Sequence, residues 1–448
     1  MIQFTFNRFF VSVAVAGLVV ANTGAADWPQ YRGPEAGGVD SSKPLSTTWN
    51  IQTKQNVLWQ TPLPGLAHAS PIVSGDRVYV ATSVGPADSQ LKVGLYGDIE
   101  PVKEFGPYKW RLLALERSTG KILWNVVGHE VMPRVKRHPK STHCNSTPAT
   151  DGHHIAVIFG SEGLFCFDTD GKQLWKKDLG PMNSGFFAVP DAQWGFGASP
   201  VIRDSKLIVL CDVQTNSFIA AFELHSGKEL WRTPRGDVPT WGSPAIIQTA
   251  ARTQIVVNGW HRSGGYDFAT GKELWWLDGG GDIPVPTPIF ANGLVYLTSA
   301  HGNLRPMRAI RPTAKGDITN PDSAGTNAAI AWVHPRQGNY MQTPIAVNNW
   351  VYGCTDAGVL TCFDGKTGKI AYSERLGVAQ GYTASPVSDG RHLYFPGETG
   401  KVLVVPVADQ FSTVATNSLG ETCMATPAIS DGTLFFRTRS KLIAIGAK

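Results

Sequence analysis

The nine-residue stretch at 267–275, DFATGKELW, recurs in close variants along most of the chain, and this recurrence constrains the fold more than any other feature. Copies stand at 116–124 (ERSTGKILW), 168–175 (DTDGKQLW), 223–231 (ELHSGKELW) and 364–372 (DGKTGKIAY). Each sets a Gly-Lys turn between two short apolar runs, and a glycine able to take positive φ is what a tight hairpin requires. Each copy therefore reads as two strands and a turn.

A second landmark runs in phase with the first. A Ser or Thr precedes Pro71, Pro148, Pro200, Pro244, Pro288, Pro344, Pro386 and Pro427, at spacings of 77, 52, 44, 44, 56, 42 and 41 residues. After most of them comes a short strand, a turn such as Asp151-Gly152, Asn292-Gly293, Asp389-Gly390 or Asp431-Gly432, and a second strand. Four strands at a period in the low forties are the signature of a propeller blade. The expected fold is all-β: an eight-bladed β-propeller of four-stranded antiparallel blades.

The two ends are complementary. Residues 56–61 (NVLWQT) resemble a fourth strand alone, whereas the unit after Pro427 has three strands and stops. Pairing them closes the ring and removes the exposed edges of an open array. The propeller is thus expected over 56–448, behind a lead-in at 27–55. Insertions fall at 83–109 in blade 1, at 312–328 in blade 5, and in the links at 129–146 and 181–198. Links and second-to-third turns emerge on the same face of such a blade, so three of the four insertions decorate one face, the expected binding side.

At the N-terminus, Arg8 precedes the apolar run 9–20, and Gly24, Ala25 and Ala26 precede Asp27. That is the pattern of a secretory signal peptide cleaved after Ala26, which places the mature protein in the periplasm or outside the cell. The run is about half of the ~20 residues that a span needs, and no membrane span is expected. A net charge of +5, dispersed along the chain, does not indicate nucleic acid. The densest basic run, 134–140 (RVKRHPK), reads as a solvated loop or as a site for an acidic partner. A monomer is expected.

An oxidising compartment favours disulfides among the six cysteines. Yet Cys166 and Cys362 occupy the third-strand slot that holds Ala114, Ala221, Ala309 and Ala444 in other units, where a small buried hydrophobe fits. Cys144 and Cys423 each lie just before a Thr-Pro landmark and flank one face. The pairing of the six stays open.

Aligning the units puts Glu162, Asp212, Asp356 and Glu398 in equivalent second-to-third turns, with Arg439 replacing Glu398 in blade 8. His261, Arg262, His301 and Arg305 lie in the corresponding turns of blades 4 and 5. A ring of mixed charge at a funnel mouth can hold a cation or an anionic ligand, although hairpin tips are also polar simply because water surrounds them. The links add His68, His143, Asn145, Trp194, Phe196, Trp241, Tyr340, Gln342, Tyr382 and Met424, each near its proline. These are expected to face the channel mouth as a small-molecule pocket, a peptide-docking surface, or plain packing of the rim. No phosphate loop, zinc spacing or nucleophile elbow occurs, so no catalytic residue and no metal ligand is assigned.

The Thr-Gly-Lys-x-Leu-Trp units with their Ser/Thr-Pro-led strands resemble the bacterial pyrroloquinoline-quinone (PQQ)-type propeller repeat, found in quinoprotein dehydrogenases and in the outer-membrane assembly factor BamB. The opening WPQYRGP and the stretch 136–163 further resemble exported PQQ-like proteins of the BamB-like kind. The resemblance implies that Trp59, Trp124, Trp175, Trp231, Trp275 and Trp332 dock blade against blade. In dehydrogenases of this fold it implies a quinone in the funnel, a calcium-type ion, a catalytic Asp and commonly a disulfide between adjacent cysteines. This chain has no Cys-Cys pair and no C-x-x-C-H. The expected function is therefore an exported, non-catalytic scaffold that binds a protein or peptide on the insertion-bearing face, with no cofactor. The alternative is a PQQ- and calcium-dependent dehydrogenase of an alcohol or sugar, in which Arg262, Arg305 or Arg439 would meet the quinone carboxylates and Asp356 would act as base.

Overall fold

The computed structural model describes residue 1 and residues 27–86, 91–93 and 100–447; the expected signal peptide and the tip of the blade 1 insertion lie outside them. Eight antiparallel sheets follow one another around a ring. Blade 6 is representative, with strands Ile345–Val347, Trp350–Cys354, Val359–Asp364 and Ile370–Arg375 from the axis outward. Its two middle strands are buried almost throughout, sandwiched between neighbouring blades, while the outer strand alternates half-buried and exposed. That is the pattern expected where only one face of an edge strand meets the next sheet.

Closure occurs as the two incomplete ends require. Val57–Pro62 pairs antiparallel with Lys441–Ile445, with Trp59 opposite Ala444 and Thr61 opposite Leu442. This mixed sheet is blade 8. In blade 5 the 312–328 insertion sends Gly316–Asp317 sideways, where it adds a short parallel strand to the outer edge of blade 4 at Trp275 and Trp276. The outer strand of blade 1, Ile122–Val131, continues past His129, so the link to blade 2 begins later than the sequence pattern places it.

Both repeated motifs acquire a physical reason. The glycine of each Thr-Gly-Lys turn lies against the fourth-strand tryptophan of the preceding blade: Gly120 on Trp59, Gly171 on Trp124, Gly227 on Trp175, Gly271 on Trp231 and Gly368 on Trp332. A Cβ on Gly271 would lie 2.3 Å from the Trp231 ring, so the glycine is required by contact as well as by its positive φ. Several of these indoles also donate their N–H to a carbonyl of the next blade, as Trp124 does to Thr169 and Trp332 to Gly365. Trp275 instead donates to Gln254 of its own blade.

The Ser/Thr before each proline forms a collar around the axis. Ser70 donates its backbone N–H to Thr147 Oγ1, and the same bond repeats from Thr147 to Ser199, Ser199 to Ser243, Ser243 to Thr287, Thr287 to Thr343, Thr343 to Ser385 and Ser385 to Thr426. A hydroxyl before each proline is thus a blade-to-blade staple. The eighth position differs: Ser70 Oγ is buried and has no partner among the described residues.

Residues 27–55 are a strap across one end of the ring. Trp28 bridges to Val73 in blade 1, Pro29 O accepts from Thr150 in blade 2, and Gln30 Oε1 accepts from Ile202 in blade 3. Arg32 then donates to Pro344 O and Pro386 O, in blades 6 and 7. The strap next runs outward beside blade 7, where Leu45 N donates to Asp389 and Trp49 N to Asn417, and enters blade 8 as its outer strand. All six cysteines are buried and free. Burial pushes their thiols well above the ordinary range, to about 12 for Cys144, Cys166, Cys362 and Cys423.

Candidate functional site

The end opposite the strap carries the links, and all eight converge on one axial cavity of about 160 Å³. The strap residue Tyr31 supplies its floor, with its hydroxyl 3.2 Å from Ser385 Oγ. Six collar residues (Ser70, Thr147, Ser199, Ser243, Thr287 and Thr426) form the lower wall. Above them Trp194, Trp241, Ile283, Val285, Met341 and Met424 form a largely apolar belt, joined by Tyr340.

One side of the wall is polar. Lys140 Nζ lies 2.6 Å from Glu398 Oε1, and both side chains are nearly inaccessible to solvent. Thr383 Oγ1 donates to the same carboxylate oxygen. The link before blade 2 thereby reaches across the seam to the second-to-third turn of blade 7. His68 directs Nε2 at Lys140 O, 2.7 Å away, and burial lowers its pKa to about 4, so the ring is neutral at ordinary pH. Its Nε2 therefore carries the proton and donates to the carbonyl.

The walls are held by side chains from neighbouring links. Trp241 Nε1 donates to Gly195 O, and Asn145 Nδ2 donates to Phe196 O. Trp194 stacks on His138 at 3.8 Å between ring centroids and 7° between planes. His138 accepts the Lys140 N–H on Nδ1, and burial, together with the nearby cations Lys92, Lys140 and Arg137, lowers it to about 4. The 181–198 insertion contributes a hairpin, Gly185–Phe186 with Val189–Gln193. Its Phe187 packs on Trp260 at 4.3 Å and its Phe186 on His301 at 5.7 Å, bridging from the link before blade 3 to the turns of blades 4 and 5.

Of the residues singled out by sequence, His68, Asn145, Trp194, Trp241, Tyr340 and Met424 line this cavity, and Glu398 reaches it through Lys140 and Thr383. His301 stands beside Tyr340 at the rim, bonded to Asp282. The others are engaged elsewhere. His143 turns outward to Glu104, whose carboxyl is held below its usual range: burial opposes this, but hydrogen bonds from His143 and Tyr108 and the charge of Arg137 outweigh it. Glu162 is buried and pairs with the exposed Arg134 at 3.3 Å. Asp212 forms a two-pronged buried pair with Arg235, at 2.7 and 2.9 Å. Arg262 pairs with Glu273, and His261 with Asp278 at the surface. Tyr382 is buried in the blade 6–7 core. Asp356, Arg305 and Arg439 are not among the lining residues. Lys140 was missed by the sequence reading, because nothing in the spacing of a basic run shows which of its members turns inward.

The fold and the stapled rim define the class: a PQQ-like eight-bladed propeller. The family described as outer membrane protein assembly factor BamB matches residues 39–185, 108–374 and 215–448, and the chain belongs to that family. Among solved structures, BamB from Moraxella catarrhalis is similar at a TM-score of 0.53 and 16% identity, covering 82% of this chain and 98% of that one. A europium-containing methanol dehydrogenase is similar at a TM-score of 0.55 and 12% identity, covering 94% and 89%. A quinohemoprotein alcohol dehydrogenase from Pseudomonas putida is similar at 0.55 and 11%, covering 94% and 80%. These likenesses establish the shared fold. No curated protein sequence matches the chain.

The quinone implied by the dehydrogenase likeness is a flat system of three fused rings bearing three carboxylates, held beside a divalent ion. A cavity of about 150 Å³ holds a single six-membered ring, which is the scale found here. Among the described residues no arginine lines the cavity, and its lysine already faces a carboxylate at 2.6 Å. Among the described residues no group of three His, Cys, Asp or Glu could hold a metal. The residues present do not fit the group.

Proposed function

We infer that this protein is an exported binding propeller without a catalytic role of its own, which docks a protein or peptide on the link-bearing face. The observation that carries the reading is the asymmetry of the axis: one end is occupied by the strap, while the other gathers all eight links and a hairpin tipped by Phe186 and Phe187. Aromatic and methionine side chains gathered within a polar surround are the composition of a recognition surface. Among the described residues no helix is long and apolar enough to cross a membrane. The BamB family membership favours a protein partner over a substrate.

The test is position-dependent photocrosslinking in intact cells. A crosslinkable residue replacing Phe187 is expected to give a discrete adduct, whereas one replacing Lys366, at a hairpin on the strap end, is expected to give none. Adducts from Lys366 alone would reverse the assignment of faces. Stoichiometric PQQ binding with turnover of an alcohol would establish the rival dehydrogenase reading instead.

A further inference from the structure

Beyond protein docking, we propose that the axial cavity binds one uncharged, polyhydroxylated ring: a monosaccharide-sized unit, free or at the end of a glycan. Size sets the first limit, because about 160 Å³ is the scale of a single six-membered ring rather than of a fused ring system.

Charge sets the second. Among the described residues the ionised groups at the wall are Lys140 and Glu398, which face each other at 2.6 Å. A charged ligand would be desolvated without a countercharge of its own, whereas a neutral one leaves the pair undisturbed.

The collar sets the third. The hydroxyls of Thr147, Ser199, Ser243, Thr287 and Thr426 each accept a backbone N–H, so each can still donate its own hydrogen. Ser70, only 2% exposed, lines the cavity, and its buried Oγ has no partner among the described residues. An aliphatic or aromatic side chain pushed down to the collar would strip water from these donors and return nothing. A ring bearing several hydroxyl oxygens satisfies them.

The belt supplies the complementary half. A pyranose carries an apolar face of axial C–H groups that packs flat against an aromatic ring. Trp241 is fixed by its bond to Gly195 O and Trp194 by its stack on His138, so neither loses much freedom when a ligand arrives.

The experiment is titration calorimetry of the purified mature protein with D-glucose, D-galactose, N-acetyl-D-glucosamine and a disaccharide of each, alongside cyclohexanol. At least one sugar is expected to bind at a single site with a Kd on the order of millimolar, and cyclohexanol at least tenfold more weakly. Trp241→Ala and Thr287→Val are expected to weaken sugar binding at least tenfold, and Thr287→Ser, which keeps the hydroxyl, to retain it. Should Thr287→Val not fold, Met341→Trp fills the cavity from a residue outside the collar and abolishes binding. A disaccharide that binds as tightly as its monosaccharide identifies a chain end, and one that does not identifies the free sugar. No saturable binding of any sugar at tens of millimolar, equal affinity for cyclohexanol, or sugar binding unchanged by Trp241→Ala and Met341→Trp would overturn the proposal. All of these readouts are independent of whether a protein partner docks on the rim.

Discussion

The two ends of the channel are built by different means. At the strap end, backbone groups of the first strands are met by backbone or side-chain partners from residues 28–40, and Arg32 alone ties two blades through their carbonyls. At the link end, pairs of side chains are added to the main-chain bonds: Lys140 with Glu398, Asp212 with Arg235, Glu162 with Arg134, His138 with Trp194. Main-chain bonds tolerate changes of residue, whereas side-chain pairs do not. The link end can therefore be re-specified by a few substitutions without disturbing the ring, which is what a recognition face on a rigid scaffold needs.

The severest way to break this comparison is to remove the segment that serves both the strap and closure. A chain lacking residues 27–62 loses the fourth strand of blade 8 along with the strap, and its cooperative denaturant transition is expected to disappear rather than shift. A single sharp transition in that variant would show that the strap end contributes little.

A smaller effect is expected from one side-chain pair at the other end. Asp212→Ala leaves the Arg235 guanidinium buried without its carboxylate, beside Asp237 at 3.6 Å, at a cost of about 3–5 kcal/mol. Urea unfolding of the variant measures it. A loss below ~1 kcal/mol would mean that Asp237 substitutes fully.

The smallest effect is the pH dependence contributed by two histidines at the link end. His68 and His138 are held neutral in the fold, at about 4, so between the ordinary 6.5 and 4 the unfolded chain takes up protons that the native chain does not. Stability is therefore expected to fall as pH drops from about 6.5 to 4 and to lose no more from these groups below that. His138→Gln should flatten part of the slope. Hydrogen exchange should quicken around 137–145 and 194 and not along 28–40.

The ring itself was legible because its signals are local. Each Ser/Thr-Pro and each Thr-Gly-Lys-x-Leu-Trp carries its own chemistry, and the half-blade at 56–61 declared its missing partner. The site was legible only in outline. Glu162, Asp212 and Glu398 occupy equivalent turns, yet the cations they meet come from two links, Arg134 and Lys140 from the one before blade 2 and Arg235 from the one before blade 4, at separations that no spacing rule specifies. His143 follows the link pattern but faces Glu104, from an insertion without periodicity. The strap was invisible for a similar reason: WPQYRGP carries no strand pattern, because its partners are the inner edges of five blades.

The pairing of Val57–Pro62 with Lys441–Ile445 also sets a schedule for the chain. The first propeller strand has its sheet partner, among the described residues, about 380 residues later in the chain, at 441–445. Seven blades can collapse in turn as they emerge, but Val57–Pro62 is without its partner until residues 441–445 have been made. A ribosome stalled within the final strand would release a nearly finished ring with open hydrogen-bonding edges at the seam, a species prone to joining its own kind. Quality control for such a protein amounts to sensing the five residues Lys441–Ile445.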